Sequence, residues 1–431
     1  MPFRIALSGL DAASTDLEVT GHNIANSATT GFKQSRAEFA DIYANSIQDV
    51  SATSAGRGVK VTRVAQQFSQ GNLNFTASNL DLALNGEGFF VMRDEAGNTS
   101  YTRAGAFSVD RDGRVVNHIG ESLQVFAPVG NSSTNFNTGS TSDLQLPTLS
   151  GTPSATDRVN TALNLDVSGT PIATAISFDP AVASTYDNST STTVYDSLGT
   201  AHTLSMYYRE SDTVANQWLV YSTVDGNIQT PATNPSVAPP SSAAFPAAVM
   251  NFTQSGALDT SIAGDSVLAT GEIDYAPFPI PGANPLQLTF DYNNSTQFGS
   301  AFAVNDLTQN GYAPGRLSGV DIDGTGIVFA RFTNGQSSAL GKVALAKFNN
   351  AQGLRQLGDT AWAQTFTSGD VQLGEAGTSS FGLMQSGALE NSNVDIAEQL
   401  VNLITAQRNF QANAQVITVA DAVTQTVINI R

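Results

Sequence analysis

Apolar side chains spaced seven residues apart at both ends of the chain restrict its fold more than any other sequence feature. Near the N-terminus the repeated positions are Phe3, Leu10, Leu17 and Ile24. Near the C-terminus the corresponding stripe consists of Ile396, Leu400, Leu403, Phe410 and Ile417. A heptad stripe is typical of a helix that packs on another helix. Because the sequence between the two ends offers no comparable helix, we predict that the terminal helices pair with each other.

The sequence also predicts where the two helices meet the rest of the chain. The N-terminal helix should end between Asn23 and Asn26, where Asn, Ser, Thr and Gly follow one another. Gly31 is a candidate for a turn with positive φ. Asp395 can cap the start of the C-terminal helix. Glu398 follows three residues later, which is close to the spacing of a capping box.

Amide side chains occupy the flanking positions of the C-terminal helix, where a water-exposed coiled coil usually carries Glu and Lys. They are Gln399, Asn402, Gln407, Asn409, Gln411, Asn413, Gln415 and Gln425. Because burying an unpaired charge is costly, a face rich in amides suits packing against other protein. We therefore favour helices packed among copies of the same chain over a two-helix hairpin surrounded by water. On the N-terminal helix, Asp16 is expected on the outer face.

Turn signals divide the long middle of the chain into predicted strands. Asn85-Gly86 lies between two apolar runs and predicts a hairpin turn. Asp-X-Asp-Gly sequences at 110–113 and 321–324 predict two more hairpins. Such sequences also occur in calcium loops, but Arg114 and Val115 occupy positions where an EF-hand needs an oxygen ligand and a glycine. Turn formation is therefore the favoured interpretation.

Composition divides the predicted β structure into two domains. Residues 130–157 are rich in Ser, Thr and Gly and are interpreted as a linker, and between Val159 and Gly315 the only basic residue is Arg209. The predicted fold class is α+β and multidomain, with a coiled-coil-like helical core and two mainly antiparallel β domains, one inserted in the other. The expected boundaries are a helical domain at 1–30 and 394–431, a discontinuous β domain at 31–157 and 316–393, and an inserted β domain at 158–315.

Several classes of function are disfavoured by the composition and the motifs. A net charge of −18 argues against a nucleic-acid partner, whose phosphates would repel the chain. The absence of cysteine excludes thiolate zinc sites and cysteine nucleophiles. The three histidines, His22, His118 and His202, lie in different predicted segments, and no nucleophile elbow, phosphate loop or dinucleotide motif is found. We therefore expect no enzyme activity, no catalytic residue, no bound metal and no cofactor.

The sequence does not predict insertion into a membrane. No stretch approaches the roughly 20 apolar residues that a membrane span requires. The first residues do not resemble a cleaved secretory signal, because Asp11 ends a short apolar run. The expectation is a protein that stays in the cytosol or leaves by a route without signal cleavage.

Both termini resemble signature sequences of the bacterial flagellar axial proteins, the rod, hook and hook-filament family. The resemblance is carried by SGLDAASTDLEVTGHNIANSATTGFK at 8–33 and NVDIAEQLVNLITAQRNFQANAQVITVADAV at 393–423. Asn23, Asn26 and Gly31 match the Asn-rich motif of that family. The length of the chain and the segment TTVYDSLGTAHTLSMYY at 192–208 point to the hook members. A rod protein or another axial protein is the alternative.

The resemblance implies a structural subunit that assembles with itself into a curved helical tube. Such a tube would join the rod to the filament and transmit motor torque as a universal joint. The implied partners are further copies of the chain, the distal rod protein, the hook-filament junction protein, the hook cap and the flagellar type III export apparatus. The implied location is the extracellular hook and basal body, reached without a cleaved signal peptide.

Within this interpretation the residues have two roles. The heptad residues of both helices would form the self-assembly core, and Asn23, Asn26 and Gly31 would mark the exit of the chain from that core. A secreted β-rich adhesin, a polysaccharide-active protein and a cytosolic scaffold are less favoured, because none of them explains heptads at both ends.

Overall fold

The chain consists of two terminal helices and a β-rich body. The computed structural model describes residues 2–42, 56–130, 134–148, 151–261, 266–378 and 380–429. The helices are α1 (Pro2–Ala25) and α2 (Ile396–Asn429). The chain divides into two compact units, here called unit 1 (Met1–Thr148, Ser318–Arg331 and Ser337–Arg431) and unit 2 (Leu149–Leu317 and Phe332–Gln336).

The strands are short and follow the chain in three groups. The first group is β1 (Ser35–Asp41), β2 (Val59–Gln66), β3 (Leu73–Phe75), β4 (Leu82–Asn85), β5 (Phe89–Arg93), β6 (Thr99–Thr102), β7 (Ser108–Val109), β8 (Val115–Val116), β9 (Ser122–Pro128) and β10 (Phe136–Asp143). The second group is β11 (Arg158–Asp166), β12 (Asn188–Tyr195), β13 (Ala201–Glu210), β14 (Gln217–Val224), β15 (Asn227–Gln229), β16 (Ala248–Asn251), β17 (Glu272–Asp274), β18 (Thr289–Asp291), β19 (Thr296–Phe298) and β20 (Ala303–Gln309). The third group is β21 (Leu317–Ile322), β22 (Ile327–Phe332), β23 (Ser337–Lys347), β24 (Arg355–Gly358), β25 (Ala361–Ala363), β26 (Gln372–Glu375), β27 (Leu383–Ser386) and β28 (Ala388–Glu390).

Strands from the first and third groups build the main sheet of unit 1 together. Its order is β21-β22-β23-β9-β5-β6-β25-β24. The long strand β23 pairs antiparallel with both β9 and β5, and β25 pairs antiparallel with β6. One face of the sheet buries an aromatic cluster that includes Phe89, Tyr101, Phe348 and Trp362. Two distant parts of the chain therefore share one hydrophobic core.

Two local predictions in unit 1 are wrong. Asn85-Gly86 does not close a hairpin, because β4 pairs with β27 and its register joins Asn85 to Leu383. Gly86 has a φ of +124°, which turns the chain away from β4 in a conformation that only glycine adopts readily. The predicted linker at 130–157 contains β10, which pairs antiparallel with β9. Pairing uses backbone groups, so a polar composition did not prevent a strand at this position.

The two Asp-X-Asp-Gly hairpins are confirmed. The Asp110 carboxylate accepts hydrogen bonds from the backbone N–H groups of Asp112 and Arg114 at 2.9 and 2.8 Å. The Asp323 carboxylate accepts from Thr325 and Ile327 at 2.9 Å each. These bonds hold the turns themselves. Among the described residues, no group of His, Asp and Glu is arranged to hold a metal ion.

Unit 2 packs two sheets around its own core. One sheet has the order β12-β13-β14-β15 with β16 on β14, and the other has the order β17-β18-β11-β19 with β20 on β11. Most neighbouring strands are antiparallel, although β11 pairs in parallel with β18 and β19. The core is apolar and contains Trp218, Tyr208, Tyr275, Phe290 and Tyr292 at its centre.

Arg209, which the sequence marks as an isolated cation, is a buried structural residue of unit 2. Its guanidinium donates to the backbone carbonyls of Ile172, Ala173, Ile176 and Thr185 at 2.8–3.1 Å. A buried guanidinium needs several acceptors to replace water. Arg209 therefore fixes the segment before β12 onto β13.

His202 of unit 2 lies between two carboxylates. Its Nδ1 is 2.7 Å from Asp225 Oδ2, and its Nε2 is 3.5 Å from Asp196 Oδ2. Burial opposes the charge on the ring, but the hydrogen bonds and charges of Asp225 and Asp196 outweigh it and raise the pKa of His202 above 6.5. The folded state therefore binds this proton more tightly than the unfolded chain does.

We expect the stability of unit 2 to fall as pH rises. Because the folded pKa is raised, the contribution of His202 is fully present below about pH 6.5 and is lost as pH passes through the folded value. Urea unfolding followed by Trp218 fluorescence in a Trp362→Phe background should show a lower midpoint at pH 8 than at pH 6. His202→Gln should remove this difference, and an unchanged pH dependence in that variant would contradict the assignment.

Candidate assembly interface and its junction with the β body

The two terminal helices pack against each other in antiparallel fashion. Asn23, near the end of α1, donates from Nδ2 to Gln399 Oε1 near the start of α2 at 3.1 Å. At the other end, Gly9 lies so close to α2 that a Cβ atom there would be 2.5 Å from Asn413 Oδ1. The seam between the helices is lined by small buried side chains, namely Ala6, Ala13 and Ala406. Pairing of the two chain ends agrees with the prediction from the heptads.

The heptad residues themselves are only partly covered within one chain. Phe3, Ile396 and Leu400 are exposed. The half-buried members are Leu10, Leu17, Ile24, Leu403, Phe410 and Ile417. The smaller alanines reach the centre of the seam because they allow a closer approach of the two backbones. The role of the nine heptad residues in assembly stays a prediction.

The outer side of α2 presents a row of large apolar side chains to solvent. These residues are 46–63% exposed and comprise Ile396, Leu400, Val401, Ile404, Val416, Val419 and Val423. The row has two parts, at 396–404 and at 416–423, separated by a largely polar stretch that includes Arg408. Isolated exposed apolar residues are common on protein surfaces, but several large ones grouped on one helix are typical of a contact surface. Among the described residues, no helix is both long and apolar enough to cross a membrane.

Two polar residues of the helices differ from their predicted positions. Gln399, expected on an exposed flank, is 5% exposed and is held by Asn23 and by Gln34 at 3.1 and 3.4 Å. Asp16, expected on an outer face, lines a pocket between α1, α2 and β1. A heptad pattern considers only helix against helix, and β1 covers a further face of this pair. The strand therefore buries positions that the pattern assigns to solvent.

The three residues of the Asn-rich motif each stabilise the exit from α1. Asn23 binds both backbone groups of Ser35, donating to its carbonyl at 2.7 Å and accepting from its N–H at 2.8 Å. Asn26 donates from Nδ2 to the His22 carbonyl at 2.9 Å. Gly31 has a φ of +70°, and its N–H donates to the Glu390 carbonyl at 2.8 Å. These bonds connect the end of α1 to β1 and to the last strand before α2.

Gly31 also permits a close approach of two backbones. A Cβ atom at this position would lie 2.4 Å from the backbone nitrogen of Ala104. Real Cβ contacts are never so short, and a φ of +70° is strained for any side chain. Glycine is therefore required twice at this position, once by conformation and once by space.

A buried ionic cluster lies beneath this exit, and sequence reasoning missed it. Lys33 Nζ is 2.6 Å from Glu390 Oε1, and Arg103 Nη1 is 3.1 Å from Glu390 Oε2. The side chains of Lys33 and Glu390 are fully buried. Their positions follow α1, precede α2 and lie in the loop after β6, so no local spacing could relate them. No local sequence pattern signalled the cluster.

Neutral acceptors and donors complete the cluster. Lys33 Nζ donates to the Ser69 carbonyl at 2.7 Å, and Arg103 Nη2 donates to the Gly86 carbonyl at 2.7 Å. Glu390 Oε1 also accepts from the Gly71 N–H at 2.8 Å. Burial lowers the pKa of Lys33 and of Arg103, and the carboxylate of Glu390 counteracts this in both cases. One carboxylate therefore compensates two buried cations at the point where both helices join the body.

Family profiles match four stretches of the chain. Residues 3–33 match the profile described as flagella basal body rod protein. Residues 83–179 match the flagellar hook protein FlgE/F/G D1 domain. Residues 162–312 match the flagellar basal body protein FlaE D2 domain, and residues 385–430 match the flagellar basal body rod FlgEFG protein C-terminal region.

Curated relatives match over the full length. The chain is 37% identical to the flagellar hook protein FlgE of Escherichia coli K12, covering 100% of both chains. It is 36% identical to the FlgE of Salmonella typhimurium LT2, again over 100% of both. The FlgE of Treponema pallidum is 30% identical over 99% of this chain and 98% of its own length.

A solved structure supports the fold independently. The crystal structure of the Helicobacter pylori flagellar hook protein FlgE2 superposes with a TM-score of 0.51 at 15% identity, covering 74% of this chain and 100% of that chain. Such a likeness, at low identity, concerns the fold alone. The full-length identity to the curated relatives decides the family: the chain belongs to the flagellar hook protein FlgE family.

Proposed function

We propose that this chain assembles with copies of itself into a curved helical tube that joins the flagellar rod to the filament and transmits motor torque as a flexible joint. As a member of the hook protein family, the chain is a structural flagellar protein and not an enzyme. The proposal concerns how it assembles, which partners it meets and how it bends.

The observation that carries the proposal is the exposed apolar row on α2. A single chain leaves Leu400, Ile404 and the valines of this row half uncovered. Burying each of them would contribute about 1–2 kcal/mol at roughly 25 cal/mol per Å² of apolar surface. Amides such as Gln407 and Gln411 lie beside the row and would satisfy their hydrogen bonds across copies without the cost of burying charge. The heptad residues of both helices would complete this self-assembly core.

The division into two units suggests how the tube could bend. We assign 158–315 to an outer β domain inserted into an inner one formed by 31–157 and 316–393. Unit 2 overlaps the proposed outer domain but begins at Leu149 and includes Phe332–Gln336, and unit 1 contains both terminal helices as well as the proposed inner domain. Helices packed in the core would supply stiffness. Contacts between polar β surfaces can exchange partners or water at little net cost. Such contacts would allow neighbouring copies to slide as the tube rotates through its bend.

The remaining assignments rest on the family. The proposed partners are the distal rod protein, the hook-filament junction protein, the hook cap and the flagellar type III export apparatus. The proposed location is the extracellular hook, reached without cleavage of a signal peptide. Asn23, Asn26 and Gly31 would hold the exit from the core at a fixed angle.

Leu400→Asp tests the proposed function. Leu400 is 46% exposed in one chain, so the substitution should leave the monomer folded by circular dichroism. In a tube the same carboxylate would be buried without a partner, a penalty of about 3–5 kcal/mol for every copy. Electron microscopy of the concentrated protein should show tubes for the unmodified chain and none for the variant.

The matched control is Leu198→Asp. Leu198 is 62% exposed and lies in unit 2, in the turn between β12 and β13. The chemical change is the same, but the position is far from the helices in sequence, so tubes should form. Normal tubes from Leu400→Asp would contradict a core built on α2.

A further inference from the structure

A polar pocket of about 310 Å³ lies between α1, α2 and β1. Two carboxylates line it, Asp16 from α1 and Glu398 from α2, together with the amide of Asn402 and the hydroxyl of Thr405. Arg36 also borders the pocket, but its guanidinium is 68% exposed and lies 3.5 Å from Glu38. Within the part of the chain that the structure describes, no donor lies within hydrogen-bond distance of the Asp16 carboxylate. The pocket therefore offers acceptors that a single chain leaves unused.

The Asp16 carboxylate is partly shielded from water and has no cation paired with it among the described residues. Burial raises the pKa of Asp16 above its usual value, and burial is the cause of this shift. An approaching positive charge would reverse the shift, because it favours the ionised form. The site is therefore suited to a cationic group that arrives from outside the chain.

Arg408 on α2 is a cation that lacks a carboxylate partner on its own helix. It is exposed on α2 and lies two residues after Ala406, which faces α1 and is fully buried. Two residues correspond to about 200° around a helix, so Arg408 points away from α1. The residues three and four positions away are Ile404, Thr405, Gln411 and Ala412. No carboxylate on its own helix is therefore placed to pair with it.

We propose that Arg408 of one copy inserts its guanidinium into the Asp16 pocket of a neighbouring copy. This inference rests on the proposed function, since it requires α2 to be covered by other copies. A covered outer face would leave the Arg408 charge buried, and a buried guanidinium must find carboxylates or carbonyl oxygens for its five donors. The pocket supplies both carboxylates and an amide oxygen.

The two elements occupy different surfaces of the same chain, so the contact is heterologous. Asp16 lies in a groove covered partly by β1, and Arg408 projects from the outer side of α2. A head-to-tail contact of this kind repeats from copy to copy and generates a helical polymer when it does not close. The pair would set the register of one copy on the next, because a charge pair is far more sensitive to position than an apolar row.

A charge swap in the full-length chain tests the pairing. Asp16→Arg and Arg408→Asp should each raise the critical concentration for polymerisation about tenfold or more, as expected for loss of a close charge pair. The double variant should restore it to within about threefold, since both partners are exchanged in every copy. Sedimentation of polymer at several protein concentrations gives this quantity, and circular dichroism checks that each monomer is folded.

The control is Asp11→Arg combined with Arg408→Asp. Asp11 is exposed on the same helix as Asp16 but does not line the pocket. The control therefore has the same net charge as the double swap, without the exchanged charge in the pocket. This combination should not restore assembly. Equal rescue by the control, or a double swap no better than the weaker single variant, would overturn the pairing.

A milder pair guards against misfolding of the swapped chains. Asp16→Asn and Arg408→Gln should show coupling, with the double variant losing less than the product of the two single effects. Independent effects would overturn the proposal. Its failure is distinguishable from failure of the proposed function: if the unmodified chain forms tubes and Leu400→Asp does not, the core is correct and only this pair is wrong.

Discussion

Replacing Glu390 with alanine should lower the free energy of unfolding of unit 1 by about 3–5 kcal/mol, the usual effect of removing one partner from a buried ion pair. The substitution leaves Lys33 and Arg103 buried without a counter-charge. It also removes the acceptor of the Gly71 N–H. The remaining carbonyl contacts of the two cations cannot compensate two positive charges. We expect the variant to unfold near physiological temperature or to fail to fold.

The two tryptophans allow this effect to be assigned to unit 1. Trp362 belongs to the core of unit 1 and Trp218 to the core of unit 2, and the chain has no others. In a Trp218→Phe background, fluorescence therefore reports on unit 1 alone. The control is Glu87→Ala, because Glu87 is 71% exposed and forms an ion pair with a single cation, Lys347, at 2.6 Å. This control should cost about 1 kcal/mol or less. Equal losses from the two variants would show that the cluster at Glu390 contributes no more than a surface pair.

Gly31→Val should be comparably harmful. Valine at a φ of +70° is strained, and its Cβ would lie 2.4 Å from the backbone nitrogen of Ala104. Backbone cannot move aside as a flexible side chain can, so either Gly31 or the loop after β6 must shift. Such strain costs about 1–3 kcal/mol by itself. The displacement would also break the Gly31 N–H bond to the Glu390 carbonyl and move Lys33 out of the cluster.

Gly21→Ala is the matched control. Gly21 lies inside α1, its φ is not positive, and nothing lies within 4 Å of an added Cβ atom. Alanine should therefore be neutral or stabilise α1 by up to about 1 kcal/mol. The measurement is the same urea unfolding of unit 1, followed by Trp362. A Gly31→Val chain as stable as the control would show that the exit from α1 tolerates a different path.

The terminal helices and the turns could be predicted because their signals are local or periodic. The heptads at Leu10, Leu17 and Leu403 predicted both helices and their pairing. Asp395 caps α2 as predicted, and its carboxylate accepts a hydrogen bond from the Ala397 N–H at 2.8 Å. The Asp-Gly turns formed for the same reason, since each carboxylate binds N–H groups two and four residues later. These interactions are decided within a few residues of chain.

The features that the sequence did not predict depend on residues that are distant from one another in sequence. Asn85-Gly86 has the sequence of a hairpin turn, but β4 pairs with β27, which lies about three hundred residues further along the chain. Lys33, Arg103 and Glu390 come from three separate segments. Asp16 and Gln399 were assigned to exposed faces because β1 does not enter a two-helix pattern. Sequence alone predicted the two helices that carry the proposed assembly surface, but not the ionic cluster where both helices join the β body.

The shared sheet of unit 1 has a consequence for the order in which the chain acquires structure. Strand β9 (Ser122–Pro128) pairs with β5 and β10, which are near in sequence, but its Val125 and Phe126 also pair with the distant strand β23 (Ser337–Lys347). Contacts so far apart in sequence form slowly, because a long loop must be closed before they contribute stability. The core of unit 2 lies almost wholly within one continuous stretch. We therefore expect the interior segment of the chain to become structured first during folding, and the segment with which the chain begins to be among the last.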